Sequence, residues 1–228
     1  MKKSLVLFFF LLGFVNCSTA NNAFDYTPTK KNLLNNQPQQ NLTIAVSTFK
    51  DVRGNENNFR ALLVMLPGFF CSTSNLDRPE MLYYKMTPKD DFPKALADEL
   101  DSYEYFKEVF YSTRKFPLDT DYIIHGKIIS TKNELIAYGY GLGVFSVYLL
   151  FFGAPMYKSK NFIEVELELI KAKTKEVVLK RNYKYQESNW ISLYYNLATM
   201  GKGFNEISKK IFPEFAKETV EYFQKNKI

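Results

Sequence analysis

Phe162-Ile163-Glu164-Val165-Glu166-Leu167-Glu168-Leu169-Ile170 alternates apolar and acidic residues. A period of two places Ile163, Val165, Leu167 and Leu169 on one face of a strand and the three glutamates on the other. A polar turn region, Lys171–Lys175, leads into Val177–Tyr185, where Leu179, Tyr183 and Tyr185 alternate with Lys180, Asn182 and Lys184. The spacing predicts an antiparallel hairpin with one buried face and, on the exposed face, an acidic row beside a basic one. Opposite charges across strands contribute about 0.2–1 kcal/mol per pair and help set register. The hairpin accounts for these charges, so they mark no ligand site.

Outward from the hairpin the elements follow in both directions. Tyr122–Ser130, with Ile123, Ile124, Ile128 and Ile129, predicts a strand, and Val109–Tyr111 a shorter one. Thr43–Phe49 predicts a strand stopped by Asp51 and Gly54. Phe59–Cys71 is an apolar stretch broken by Pro67-Gly68 and followed by polar Asp77-Arg78-Pro79-Glu80. Phe92, Leu96, Leu100 and Tyr103 recur at helical spacing, with Asp91 as N-cap and Pro93 in the first turn. Near the C-terminus Phe204, Ile207, Ile211, Phe215 and Tyr222 form an apolar stripe opposite Lys209, Lys210, Glu214, Lys217 and Glu221, and Pro213 predicts a kink or split. The fold class read from this order is α+β. It is a small mixed β-sheet backed by helices, with an apolar insertion between strands and a C-terminal helix, in one domain spanning 42–228.

The N-terminus carries a different signal. Lys2 and Lys3 precede an apolar run from Leu5 to Leu12, then Gly13-Phe14-Val15-Asn16-Cys17-Ser18-Thr19-Ala20. A basic start, a short apolar core and a cleavage region are the marks of a signal peptide, here residues 1–16. The run is too short for a transmembrane helix, which takes about 20 apolar residues. The cysteine and the small polar residues after it resemble a bacterial lipobox, with Phe14 and Asn16 in place of the usual Leu and small residue. That resemblance implies cleavage before Cys17 and attachment of palmitate-type acyl chains to it. An ordinary signal peptide with an incidental cysteine is the other reading. Residues 17–41, rich in Asn, Gln, Thr and Lys, read as a lipidated N-terminus and a disordered tether. A flexible tether of about 24 residues spans roughly 27 Å.

The formal charge is +6, and loss of Lys2 and Lys3 leaves about +4. The charges are spread along the chain, so no nucleic-acid footprint stands out. With Cys17 acylated, Cys71 has no intramolecular disulfide partner, and its apolar neighbours Phe69 and Phe70 predict burial.

Three passages carry a further resemblance: Thr43–Phe49 followed by Asp51, Thr120–Ile128, and Val165–Lys184 with its polar turn. They resemble the periplasmic fold of the curli-secretion channel lipoproteins, the lipoprotein activators of penicillin-binding proteins and the N-terminal domain of the TolB translocation protein. Within that group the chain is most similar to exported lipoproteins with an Asp-Arg-Pro turn and an aromatic-rich Gly-Pro insertion. The resemblance implies a scaffold or interaction role in the envelope; fold likeness does not by itself give function.

Leu135–Tyr157 contains no charged residue. As a straight helix its 23 or so residues would span roughly 35 Å, enough for a bilayer, with Gly139 and Gly143 on one face. Alternating Gly139, Gly141 and Gly143, the interruption at Pro155 and the flanking strands of one sheet argue against a simple span. Three readings stay open. The segment covers the sheet as a buried insertion, dips into lipid as a loop or helical hairpin, or joins other copies in a pore. Tyr138, Tyr140, Phe145, Tyr148, Phe151 and Phe152 are the candidate membrane-contacting residues.

Chemistry is sparsely represented. His125 is the single histidine, placed mid-strand without a nucleophile motif, and reads as a half-exposed sheet residue. Ligand sets for a metal, paired cysteines and a phosphate loop are lacking in the sequence. The expectation is therefore a protein that is not an enzyme and needs no cofactor. Two functional readings follow: a non-catalytic cell-envelope lipoprotein acting as a membrane-tethered binding or scaffold module, or an oligomeric transport or secretion component whose 135–157 insertion enters the membrane. The expected partners are the membrane, through the N-terminal lipid, and envelope proteins or further copies of the chain. Ser18, in place of a retaining aspartate, favours the outer membrane, facing the periplasm.

Overall fold

The glutamate–lysine hairpin is the spine of a seven-stranded mixed sheet. The computed structural model describes residues 23–29, 40–54, 69–75, 85–117, 119–142, 145–192, 194–195 and 201–226, with residues 69–75 and Val147 described by backbone alone. Cys17 and the signal segment lie outside the described residues, as does the side chain of Cys71.

The strands are β1 (Gln40–Ser47), β2 (Lys50–Asp51), β3 (Phe69–Asn75), β4 (Phe106–Ser112), β5 (Tyr122–Tyr138), β6 (Tyr157–Lys171) and β7 (Val177–Ile191). The helices are α1 (Pro88–Asp101), α2 (Ser146–Phe151) and α3 (Lys202–Asn226). The sheet order is β4-β1-β5-β6-β7, with β2 and β3 also pairing β5. β1 lies parallel to both β4 and β5, whereas β5, β6 and β7 form an antiparallel meander. The α+β class expected from the sequence is the class observed.

The hairpin sets the acidic row beside the basic one, as its alternation predicts. Glu164 faces Lys184 and Glu168 faces Lys180 across the strands. The Lys180 ammonium lies 2.7 Å from Glu168 and 3.0 Å from Glu166. On the opposite face Ile163, Val165, Leu167 and Leu169 are buried beneath the helices, where they meet Phe204, Ile207, Ile211 and Phe215 of α3. α1 adds Phe92, Leu96 and Leu100, and its Phe92 ring meets Phe212 of α3 edge-on at 5.7 Å.

Two prolines sit differently from expectation. Helix α1 begins at Pro88 after Thr87, not at Asp91, and Pro93 lies inside it. Pro93 has no N–H to give the carbonyl four residues back, that of Lys89. The Phe49 backbone N–H, 3.1 Å away, occupies that carbonyl instead. Pro88 takes the first helical position, where a missing N–H costs nothing. Asp91 Oδ2 accepts the Thr87 N–H at 2.5 Å, so it serves the helix start from within. Pro213 does not split α3, which runs unbroken from Lys202 to Asn226.

Residues 23–29, placed by the sequence in the free tether, lie against the core. Phe24 packs on Phe92 at 5.6 Å and Tyr26 on Phe212 at 5.5 Å. The buried Glu99 carboxylate accepts the Tyr26 hydroxyl at 2.7 Å and the Thr29 N–H at 2.9 Å. Burial, reinforced by Glu99, pushes the Tyr26 hydroxyl far above its usual range. Two aromatic side chains supply the apolar area that a polar composition conceals.

The three meander strands run 17, 15 and 15 residues, against a usual five or six or so. The helices cover only part of that length: the apolar core holds no β5 or β6 residue between Ile128 and Ile163. Beyond it the strands continue as an arm, with Ala137 still opposite Tyr157. From Ile128 to Tyr138 the arm measures about 33 Å at a strand's rise per residue.

Candidate functional site

The arm's buried face is polar where the body's is apolar. Thr131, Asn133, Ser159 and Asn161 are all almost fully buried. Asn133 Nδ2 donates to Ser159 Oγ and to Asn161 Oδ1, each at 2.9 Å. Gly203 at the start of α3 comes so near that a Cβ there would lie 2.4 Å from Asn161 Nδ2. The arm's root is pinned by Arg53, whose side chain is 4 % exposed. Its guanidinium donates to both Asp51 oxygens and to Thr131 Oγ1. That bidentate contact holds the Asp51 carboxyl below its usual range.

The far end of the arm is the uncharged segment. Leu135–Tyr138 and Tyr157 belong to β5 and β6, so the insertion proper is shorter than its composition suggests. Tyr140 and Gly141, both at positive φ, turn the chain, and the six-residue α2 follows. Leu150 and Ser146 face inward. The outward rings are Phe145 (65 % exposed), Tyr148 (65 %), Phe151 (62 %) and Phe152 (87 %). Tyr138 sits at the end of β5, half-buried against Trp190 at 5.0 Å.

Tyrosine hydroxyls tie this tip down. Tyr140 donates to the Pro155 carbonyl at 2.7 Å, and Tyr194 to that of Phe151 at 2.8 Å. Burial raises the Tyr140 and Tyr157 hydroxyls above their usual range. Lys158 lies over the Trp190 ring at 5.2 Å and is the first charge behind the tip on β6.

The sequence named the insertion's aromatics but not Trp190, Tyr194 and Tyr195, which the extension of β7 brings beside them. Alternation continued past Tyr185 would have been the signal. β3 adds a further stretch: Phe69 pairs with Tyr138 and Cys71 with Ile136, so the end of the Phe59–Cys71 apolar stretch reaches the tip.

The geometry bears on the three readings of the segment. Both its ends return to neighbouring antiparallel strands, with the Tyr138 N–H on the Met156 carbonyl at 3.0 Å. A single crossing of a bilayer is incompatible with that return. Helix α2 rises about 9 Å, and among the described residues no helix is long and apolar enough to cross a membrane. The segment ends in an exposed tip, with Ser146 and Leu150 turned inward beneath it.

A concavity of about 440 Å³ lies on the open face of the sheet. Its lining includes Ser47, Thr48, Lys50, His125, Lys127 and Glu166. The His125 Nε2–H donates to the Lys115 carbonyl at 2.9 Å, and its ring lies 5.3 Å from Phe116. Ser47 Oγ donates to the Ile124 carbonyl, and Glu166 and Glu168 are engaged by Lys180. Among the described residues no cluster of His, Cys, Asp and Glu is arranged to hold a metal.

No family model matches the chain, and no curated protein matches it. Solved structures do. A Xanthomonas campestris protein of the DUF330 family superposes with a TM-score of 0.53 at 11% identity, covering 90% of this chain and 97% of its own. A Helicobacter pylori homologue of a neuraminyllactose-binding hemagglutinin gives 0.46 at 11% identity, covering 91% and 99%. A PelC dodecamer from Paraburkholderia phytofirmans gives 0.37 at 10% identity, covering 78% and 88%. The likeness to the Xanthomonas protein is one of fold; the other two superpose too loosely to bear on this chain.

Proposed function

We propose that the chain is a non-catalytic module of the bacterial cell envelope, anchored by lipid at Cys17, whose binding surface is the end of the sheet arm. The observation that carries this reading is the tip itself. Four aromatic rings, each more than three-fifths exposed, stand together on a charge-free segment. Exposed apolar patches of this kind mark interaction surfaces. The lipobox-like sequence before Cys17 supplies the compartment. The outer membrane, facing the periplasm, is the destination that Ser18 favours. The groove beside His125 suits this reading, since its histidine and glutamates are already committed to structural partners.

The test is intact mass spectrometry of the protein purified from its native membrane, alongside Cys17→Ala. The expected wild-type mass begins at Cys17 and carries a diacylglyceryl group, and the variant is mislocalised with its fold intact. An unmodified mass, or a variant still processed and membrane-bound, overturns the lipid anchor.

A further inference from the structure

We infer that the aromatic tip docks into the surface of the same bilayer that holds the Cys17 acyl chains, so that the protein is fixed at two points. This rests on the reading of Cys17 as the lipid attachment site.

Chemistry is ordered along the arm. Outermost are Phe145, Phe151 and Phe152, with the Tyr194 hydroxyl on the Phe151 carbonyl; behind them Trp190 and Lys158 face each other across β7 and β6, the ammonium over the ring. Apolar rings outermost, with an amphipathic ring and a cation together behind them, match the passage from acyl chains to headgroups on leaving a bilayer.

The described chain begins at the arm-facing end of the body. Ala23 bridges Lys85, two residues before Thr87 at the start of α1. That end of α1 lies beside Phe49, adjoining β2, whose Lys50 pairs with Lys127. β1 and β2 run parallel to β5, so this is the end of the body that faces the arm. From there the strap runs parallel to α1, away from the arm, towards Glu99. Ala23 is six residue steps from Cys17, a reach of at most about 22 Å. That reach, measured from the arm-facing end of the body where Ala23 sits, is shorter than the arm of about 33 Å. With both ends at one surface, the arm leans at about 40° or less to the bilayer plane.

The chain provides its own reporter, since Trp190 is its single tryptophan and sits just behind the tip. The full mature chain carrying Cys17→Ala is mixed with vesicles of phosphatidylethanolamine and phosphatidylglycerol. The expected result is a blue shift of Trp190 emission and quenching by brominated lipid. The double variant Phe151→Ser, Phe152→Ser removes outward rings that support no core. It should keep its circular dichroism and lose vesicle partitioning by about tenfold or more. Vesicles that leave emission and sedimentation of the parent chain unchanged overturn the inference. So does a blue shift without lipid that tracks dimer formation, which would assign the tip to a second copy. In proteoliposomes of the native lipidated protein, Trp190 should again be quenched. Lipid present on Cys17 with Trp190 unquenched overturns the docking and leaves the anchor standing. Trp190 quenched with Cys17 unmodified overturns the anchor, and with it the two-point attachment.

Discussion

One face of one sheet is buried in two different ways. Within the body, Ile163, Val165, Leu167 and Leu169 lie under α1 and α3 in an apolar core. A few residues along the same strands, Thr131, Asn133, Ser159 and Asn161 are equally inaccessible but bonded to one another and to Arg53. The body gains its stability from area removed from water, which is non-directional. The arm gains shape, because buried polar groups tolerate only arrangements that satisfy them. A projecting element that must hold its tip at a set angle is better served by the second kind of burial.

The comparison can be broken hardest in the body. Phe215→Ala removes a fully buried ring at the α3–sheet contact and should cost about 3–5 kcal/mol. Urea denaturation would show the loss as a lower midpoint for the whole domain. A change confined to the arm would refute the division.

At the seam the expected effect is smaller. Gly203→Ala drives a methyl group to within 2.4 Å of the bonded Asn161 amide, an overpacking cost of about 1–3 kcal/mol. Hydrogen exchange should quicken first in β5 and β6 of the arm, around Asn133 and Asn161, before the amides of α1 respond. Equal acceleration everywhere would mean that arm and body open as one unit.

The smallest effect sharpens the comparison at the arm's root. Arg53 depresses the Asp51 carboxyl, chiefly through their hydrogen bond. A carboxyl depressed in the folded state contributes stability that is present above its unfolded value, about 3.9, and lost as pH falls through the folded value. Asp51→Asn should therefore cost little, under about 1 kcal/mol given its exposure. The variant's stability should also fall less steeply below about pH 4. Thermal melts across acid pH would check this, and parallel profiles for the two proteins would remove Asp51 from the account.

The two regions were unequally legible for the same physical reason. Ile163 to Leu169 alternate with glutamates, so period two exposes both faces at once. In the arm Lys158, Ser159, Lys160 and Asn161 are all polar, although Ser159 and Asn161 are buried and Lys158 and Lys160 are not. A strand with polar residues on both faces carries no hydropathy period, and the boundaries of β5, β6 and β7 were misplaced there. The aromatic membership of the tip was visible in composition, whereas its exposure depended on those misplaced strands. Trp190 and Tyr194 entered for the same reason. At α1, Asp91-Phe92-Pro93 imitates a helix start, and the rescue of the Lys89 carbonyl by Phe49 comes from a residue far along the chain.

The strap of residues 23–29 has a mechanical consequence. It lies alongside α1 with its first residue towards the arm, held successively at Lys85, Phe92 and Glu99. A tug on the preceding chain towards the arm acts along the strap's length. The backbone bridge, the ring contact and the carboxylate pair then resist in shear, sharing the load. Drawn the other way, the same contacts would yield singly, like a zip.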